Sequence, residues 1–155
     1  MAYADVAYAD GAHAGMAEAG SPLAAGVQTF ALEADRLRLS GAAVRAFTGL
    51  AGRWGLSNLE AAALLGVSGS TWDRIKRGGW AQALSQDQLT RVSAMVGVFK
   101  GLGLLFADDM GLRWPRLANR APVFGGMTPI AAMIEGGIPR MLDVRRYVDA
   151  ARGGL

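Results

Sequence analysis

The residues best suited to a chemical role form a short polar series in the middle of the chain. Its members are hydroxyl-bearing or cationic: Ser68, Ser70, Thr71, Arg74, Lys76 and Arg77. Such groups hydrogen-bond base edges and phosphates, and an arginine paired with guanine is the commonest specific contact of this kind. We interpret Ser70, Thr71 and Arg74 as candidates for base contacts. The later Lys76 and Arg77 are candidates for phosphate contacts.

The pattern around this series, residues 56–78, predicts a helix-turn-helix. Ser57 and Glu60 have the spacing of a capping box, which starts a first helix. Gly66 stands where that helix must end in a sharp turn. Three spaced apolar residues then give the second helix, which begins near Ser68, one buried face: Val67, Trp72 and Ile75. In this motif the second helix lies in the major groove of DNA. An ordinary pair of helices is the alternative.

The composition argues against catalysis. The chain has 155 residues, 52% of them hydrophobic, which suits one compact domain or two small ones. It has no cysteine and one histidine, His13, so neither disulfides nor histidine-based catalysis is expected. Asp108 and Asp109 are interpreted as a turn, because no cluster of further metal ligands accompanies them. We therefore predict no catalytic residue, no metal and no cofactor: the chain is not expected to be an enzyme.

Charge and hydropathy indicate partners and location. Residues 41–100 carry a net charge of +4 and residues 1–40 carry −3, within a total of +3. A basic middle segment agrees with phosphate contacts, but +4 is modest, so we expect a dimer to bind DNA. The longest apolar run, residues 94–106, contains Lys100 and is too short to span a bilayer. We expect a cytoplasmic protein without a membrane partner.

The two ends of the predicted helical region differ in character. Residues 1–39 are rich in alanine and glycine and are expected to form a flexible tail without the basic start of a secretory signal. Met16 is an alternative translation start. Ser40 is expected to cap a helix that runs to about Trp54. A helix that opens at Thr128-Pro129 is expected to stop at Gly136-Gly137, and a last helix is expected to start near Pro139 and to be followed by a Gly-Gly-Leu tag.

A long helix is predicted from just after Ser85 to about Phe106. It carries two apolar stripes, so two sides must be covered. A dimer interface and a core helix covered within one chain both satisfy this pattern. Gly97 and Gly101 would let another helix approach closely. The fold class is therefore all-α, with a DNA-binding and dimerisation domain over residues 40–106 and a small helical domain over residues 107–155.

Several motifs follow one another along the second half of the chain: Leu89-Thr90-Arg91, Trp114, Asn119, Phe124-Gly125-Gly126, Thr128-Pro129, Met133, Gly136-Gly137 and the segment from Val144 to Gly154. With these motifs the chain resembles the Xre/MbcA/ParS antitoxin family. The resemblance covers roughly residues 40–155 and includes the helix-turn-helix, with Ala118 departing from the family's proline before Asn119.

The resemblance implies a helical, dimeric antitoxin that is not itself an enzyme. Such proteins bind RES-domain toxins, occlude the cleft in which NAD is consumed or used for ADP-ribosylation, and repress their own operon by binding operator DNA. The alternative is a stand-alone helix-turn-helix regulator whose C-terminal domain binds a ligand or a second copy. The residues assigned to toxin binding are Trp114, Asn119, Phe124, Arg145, Arg146, Asp149, Arg152, Gly153, Gly154 and Leu155.

Overall fold

The computed structural model describes residues 28–153, and within that range the regular secondary structure is entirely helical. The predicted all-α class is confirmed. The helices are α1 Glu33–Arg53, α2 Asn58–Leu65, α3 Gly69–Lys76, α4 Gln86–Leu105, α5 Met110–Arg113 and α6 Pro129–Gly153, with a 3₁₀ turn at Trp114–Arg116 between α5 and α6. No helix in residues 28–153 is long and apolar enough to cross a membrane.

Helix α1 begins earlier than the sequence predicts. It starts at Glu33, so Ser40 lies inside it and residues 33–39 are helical rather than part of a tail. The Ser40 hydroxyl donates to the carbonyl of Arg36 and accepts the N–H of Leu84, at 2.7 Å for the second bond. Ser40 therefore satisfies a buried backbone group from a distant segment instead of capping a helix. The rest of the predicted tail, residues 1–27, lies outside the described residues.

The two helices of the predicted helix-turn-helix have the expected ends. Ser57 and Glu60 form the complete capping box at the start of α2. Gly66 ends α2 with φ 77°, in the left-handed region that favours glycine. The Ser68 side chain accepts the N–H of Thr71 and caps α3. The predicted start of the second helix near Ser68 is confirmed.

Helix α4 is the central element of the core. Helix α1 packs on one side of it and α6 on another. The stripe residues that are almost fully buried within one chain are Leu89, Val92, Met95, Val96, Val98 and Leu102. Of the two interpretations of the apolar stripes, the structure therefore favours a core helix covered within the monomer.

Small residues bring α4 and α6 close together. A Cβ atom added at Gly101 would lie 2.6 Å from Cγ1 of Val148, and one at Gly97 would lie 2.5 Å from Nε of Arg145. The predicted close approach at these glycines is confirmed. Gly137, with φ 63°, divides α6 into two helical parts, as the Gly-Gly pair and Pro139 predict.

Candidate DNA interface and candidate partner surface

Helix α3 has one anchored face and one exposed face. Trp72 and Ile75 are each 2% exposed, and the Trp72 ring meets Phe47 edge-on at 5.5 Å between centroids. The opposite face is open to solvent, which is the arrangement that direct contact with a DNA groove requires. The predicted DNA-contacting residues are exposed, apart from the half-buried Thr71: Ser68, Ser70, Thr71, Arg74, Lys76 and Arg77.

Arg74 is held by an aromatic ring that follows α3 in the chain. Its guanidinium carbon lies 5.1 Å from the centroid of the Trp80 ring, and Trp80 packs on the hydrophobic core. Arginine stacked on an aromatic face keeps its donors available at the edge. Gly79 leaves room for this stack, because a Cβ there would lie 3.2 Å from Cγ of Arg74. The arrangement orders Arg74 before any ligand arrives.

Lys76 has a partner within the helix-turn-helix itself. Its Nζ donates to Oδ1 of Asn58 at 2.9 Å, and the indole N–H of Trp72 donates to the same oxygen at 3.1 Å. Asn58 is the first residue of α2, so one amide oxygen ties α2 to α3. Asn58 was not among the predicted site residues, because its partners are distant in the chain and no short spacing signals them.

The C-terminal end of α2 is held by an arginine from α4. Nη1 of Arg91 donates to the carbonyls of Leu64, at 3.2 Å, and Ala63, at 3.4 Å. The same side chain covers Gly66, where a Cβ would lie 3.0 Å from Nε of Arg91. A cation at this position satisfies the unpaired carbonyls at a helix end. Arg91 therefore fixes the turn between α2 and α3.

The N-terminal end of α2 is held by Arg116, from the turn that follows α5. Nη2 of Arg116 lies 2.7 Å from Oε1 of Glu60. Its Nε donates to the carbonyl of Trp54 at 2.9 Å, and Nη2 also donates to that of Gly55. The Arg116 hydrogen bond is the main cause that holds the pKa of Glu60 below its usual value, against an opposing effect of burial.

This lowered pKa predicts a pH dependence of stability. A carboxyl group whose pKa is lower in the folded state stabilises the fold above its unfolded pKa, about 4.3. We therefore expect stability to fall as the pH is lowered from about 4.3 through the folded-state pKa of Glu60. Urea unfolding at a series of pH values should show a smaller acid-induced loss for Glu60→Gln than for the wild type. The same pH dependence in both proteins would contradict the assignment.

An aromatic cluster forms the base of the C-terminal region. The Trp114 ring is stacked on Tyr147 at 6.2 Å between centroids, and Phe124 meets Trp114 edge-on at 5.5 Å and Tyr147 at 5.1 Å. Phe124 is fully buried, whereas Tyr147 is 37% exposed. Because Phe124 is buried, it supports the other two rings and cannot itself contact a partner. Of the three rings, only Trp114 and Tyr147 can make the toxin contact that was predicted for Phe124. Tyr147 was absent from the predicted site.

Asn119 closes the loop before α6. Its Oδ1 accepts the N–H of Ala121 at 2.9 Å, its own N–H donates to the carbonyl of Met127 at 3.1 Å, and its carbonyl accepts the N–H of Gly126 at 2.9 Å. These bonds close the loop although Ala118 stands where the family has a proline. The side-chain oxygen of Asn119 is therefore already hydrogen-bonded within the loop.

The polar residues of the last helix divide into inward and outward groups. Arg145 lies over Gly97 and donates to the carbonyl of Ser93 at 3.3 Å, so it packs between helices. Arg146 pairs with Asp143 at 2.6 Å, and Arg152 pairs with Asp149 at 3.5 Å. These last four side chains and Gly153 are exposed. Gly154 and Leu155 lie outside the described residues.

The fold and the exposed α3 define a helix-turn-helix protein. Residues 33–97 match the antitoxin Xre-like helix-turn-helix domain, and the match begins where α1 begins. The chain is also similar to the Uncharacterized protein y4oB of Sinorhizobium fredii (strain NBRC 101917 / NGR234). The two are 35% identical over 119 residues, which cover 73% of this chain and 86% of that protein. No solved structure matches the chain. The chain belongs to the Xre antitoxin family.

Proposed function

We propose that this antitoxin neutralises a RES-domain, NAD-consuming toxin and represses its own operon through α3. The observation that carries the first part is the end of α6. Val148 is the last residue of α6 that is fully buried in the core, and the helix continues to Gly153. The described residues beyond Val148 are exposed apart from the half-buried Ala151, so this single helical turn is available to enter the cleft of a partner. Inhibition of this kind needs binding and no chemistry.

Charge suggests how this end is recognised. A cleft that binds the pyrophosphate of NAD presents positive charge, and Asp149 supplies an anion to it. Arg146 and Arg152 are suited to acidic groups around the rim, because a guanidinium binds a carboxylate through two parallel hydrogen bonds. Arg145 takes no direct part in this proposal, since it packs against α4.

The proposal is tested by shortening the chain. A stop after Tyr147 would remove the buried Val148, so the informative variant ends at Val148 and lacks Asp149 and Arg152. We expect this variant to lose neutralisation of a RES-domain toxin, measured as cellular NAD during co-expression. Its affinity for promoter DNA should be retained. A chain that ends at Gly153 is the matched control for the last two residues. Full neutralisation by the chain that ends at Val148 would contradict the proposed mechanism.

The DNA-binding part is tested at Arg74. We expect Arg74→Ala to weaken operator binding by about 1–3 kcal/mol and to relax the preference at one base pair. Arg77→Ala is the comparison: a lost phosphate contact weakens all sequences alike and lowers the salt dependence of binding by about one ion. Fluorescence anisotropy with single-base operator variants measures both. Unchanged base preference in Arg74→Ala would contradict the assignment of Arg74.

We further propose that the protein acts as a homodimer in the cytoplasm. Two copies would present two α3 helices to neighbouring half-sites, which suits a palindromic operator. The modest net charge of +4 over residues 41–100 supports this, because one copy would neutralise few phosphates. Light scattering of the purified chain determines the oligomeric state, and a monomer on a single half-site would contradict the proposal.

A further inference from the structure

One short turn connects the aromatic cluster to the helix-turn-helix. Trp114 begins the 3₁₀ turn and belongs to the aromatic cluster, while Arg116 ends the turn and binds Glu60 of α2. The residue between them, Pro115, is buried and has a fixed φ. Trp114 and Arg116 are therefore the two ends of one short turn whose middle residue has little conformational freedom.

Arg116 contacts both sides of the joint between α1 and α2. On one side it binds the carbonyls of Trp54 and Gly55, which directly follow α1. On the other side it binds the Glu60 carboxylate, whose Oε1 also accepts the N–H of Ser57 at 2.9 Å. A single guanidinium thus sets where α2 starts relative to α1. Because α2 packs against α3, it also sets the direction of the exposed face of α3.

Stability alone does not account for this arrangement. The Arg116 side chain is 40% exposed, and ion pairs at that exposure contribute little to the free energy of unfolding. Several contacts from one side chain to three residues of a joint instead determine its geometry. Trp114, at the other end of the turn, stacks on Tyr147, which directly precedes the part of α6 proposed to bind the toxin.

We propose that Arg116 is a positioning residue for DNA binding and that the Trp114–Arg116 turn couples the aromatic cluster to α3. A protein partner that moves Trp114 changes the affinity of α3 for operator DNA through Arg116. This inference rests on the proposed function, because it requires both a toxin and an operator. Coupling of two binding sites is reciprocal, so operator DNA also changes the affinity for the toxin by the same factor.

The first test needs neither partner nor DNA. In the full-length chain, Trp114→Ala should raise amide hydrogen exchange of residues 55–61 about tenfold, because the turn that holds Arg116 is released. Arg116→Gln should give the same pattern, and Trp114→Phe should restore slow exchange. Leu142→Ala controls for general destabilisation. It removes another core-packed side chain of α6 that does not belong to the aromatic cluster. Unchanged exchange of residues 55–61 in Trp114→Ala would overturn the inference.

The second test measures the coupling itself. Operator affinity is determined with promoter DNA for the antitoxin alone and for its complex with a RES-domain toxin. We expect the toxin to change the affinity of the wild type at least about fivefold and that of Arg116→Gln less than about twofold. Arg116→Lys keeps the charge and tests the need for the planar group. Arg113→Ala removes an exposed arginine three positions earlier and should couple like the wild type.

The outcomes separate the inference from the proposed function. Equal coupling in Arg116→Gln and the wild type, or no coupling in a wild type that binds both partners, overturns the inference and leaves the proposed function standing. A wild type that binds neither the toxin nor the promoter overturns the proposed function and, with it, the coupling.

Discussion

Replacement of Phe124 by alanine is expected to lower the free energy of unfolding by about 3–5 kcal/mol. The ring is fully buried and meets both Trp114 and Tyr147 edge-on, so its loss leaves a cavity under two larger rings. The main chain around it is tied by Asn119 and by Arg140, which donates to the carbonyl of Val123, and these bonds limit collapse. Urea unfolding of the purified chain measures the change.

Tyr147→Ala is the matched comparison for Phe124→Ala. Tyr147 belongs to the same cluster but is 37% exposed, so the change removes less buried surface and should cost distinctly less stability. Toxin binding should respond in the opposite order when it is measured at a temperature where both variants are folded, because Tyr147 is the more exposed ring and precedes the residues of α6 that are proposed to bind the toxin. A loss below about 1 kcal/mol for Phe124→Ala would show that the cluster repacks and that Phe124 is not its support.

Replacement of Gly101 by leucine is expected to cost about 3 kcal/mol or more. A Cβ alone would lie 2.6 Å from Cγ1 of Val148, a branched side chain that is 1% exposed and has no free space to move into. The larger side chain must separate α4 from α6, which together form the most extensive helix pair of the described chain. Thermal unfolding and the retention of toxin binding measure the effect.

Gly103 offers a control on the same helix. No atom lies within 4 Å of a Cβ built at Gly103, so Gly103→Ala should stabilise the protein by about 0.4–1 kcal/mol through the unfolded chain. Gly101 and Gly103 are separated only by Leu102. A loss of stability from substitution at Gly101 and a gain at Gly103 would establish that α6 approaches α4 at Gly101. Equal effects at both positions would contradict the close packing of α4 and α6.

Local signals account for the parts of the fold that the sequence predicted. The capping box of Ser57 and Glu60, the left-handed Gly66 and the break at Gly136-Gly137 each depend on residues within a few positions of one another. The early start of α1 was not predicted, because Ser40 has the chemistry of a cap and its actual partner, Leu84, is distant in the chain. A short pattern contains no information about such a partner.

The candidate site shows the same division. Helical spacing was sufficient to separate the buried Trp72 and Ile75 from the exposed Arg74. It was not sufficient to tell that Arg145 packs over Gly97 while Arg146, its neighbour, is exposed. Periodicity gives the angle between two side chains on one helix, but not the direction from which a second helix arrives.

What the sequence alone determined is therefore the helical class and the helix-turn-helix, which follow from residue types at short spacings, and the family, which follows from the resemblance of its motifs to known antitoxins. Only the tertiary structure decided which residues of the C-terminal region are supports and which are exposed. It also revealed that Arg116 reaches Glu60, 56 residues earlier in the chain. Contacts at that separation depend on how helices pack, and packing is a property of the whole core rather than of any segment.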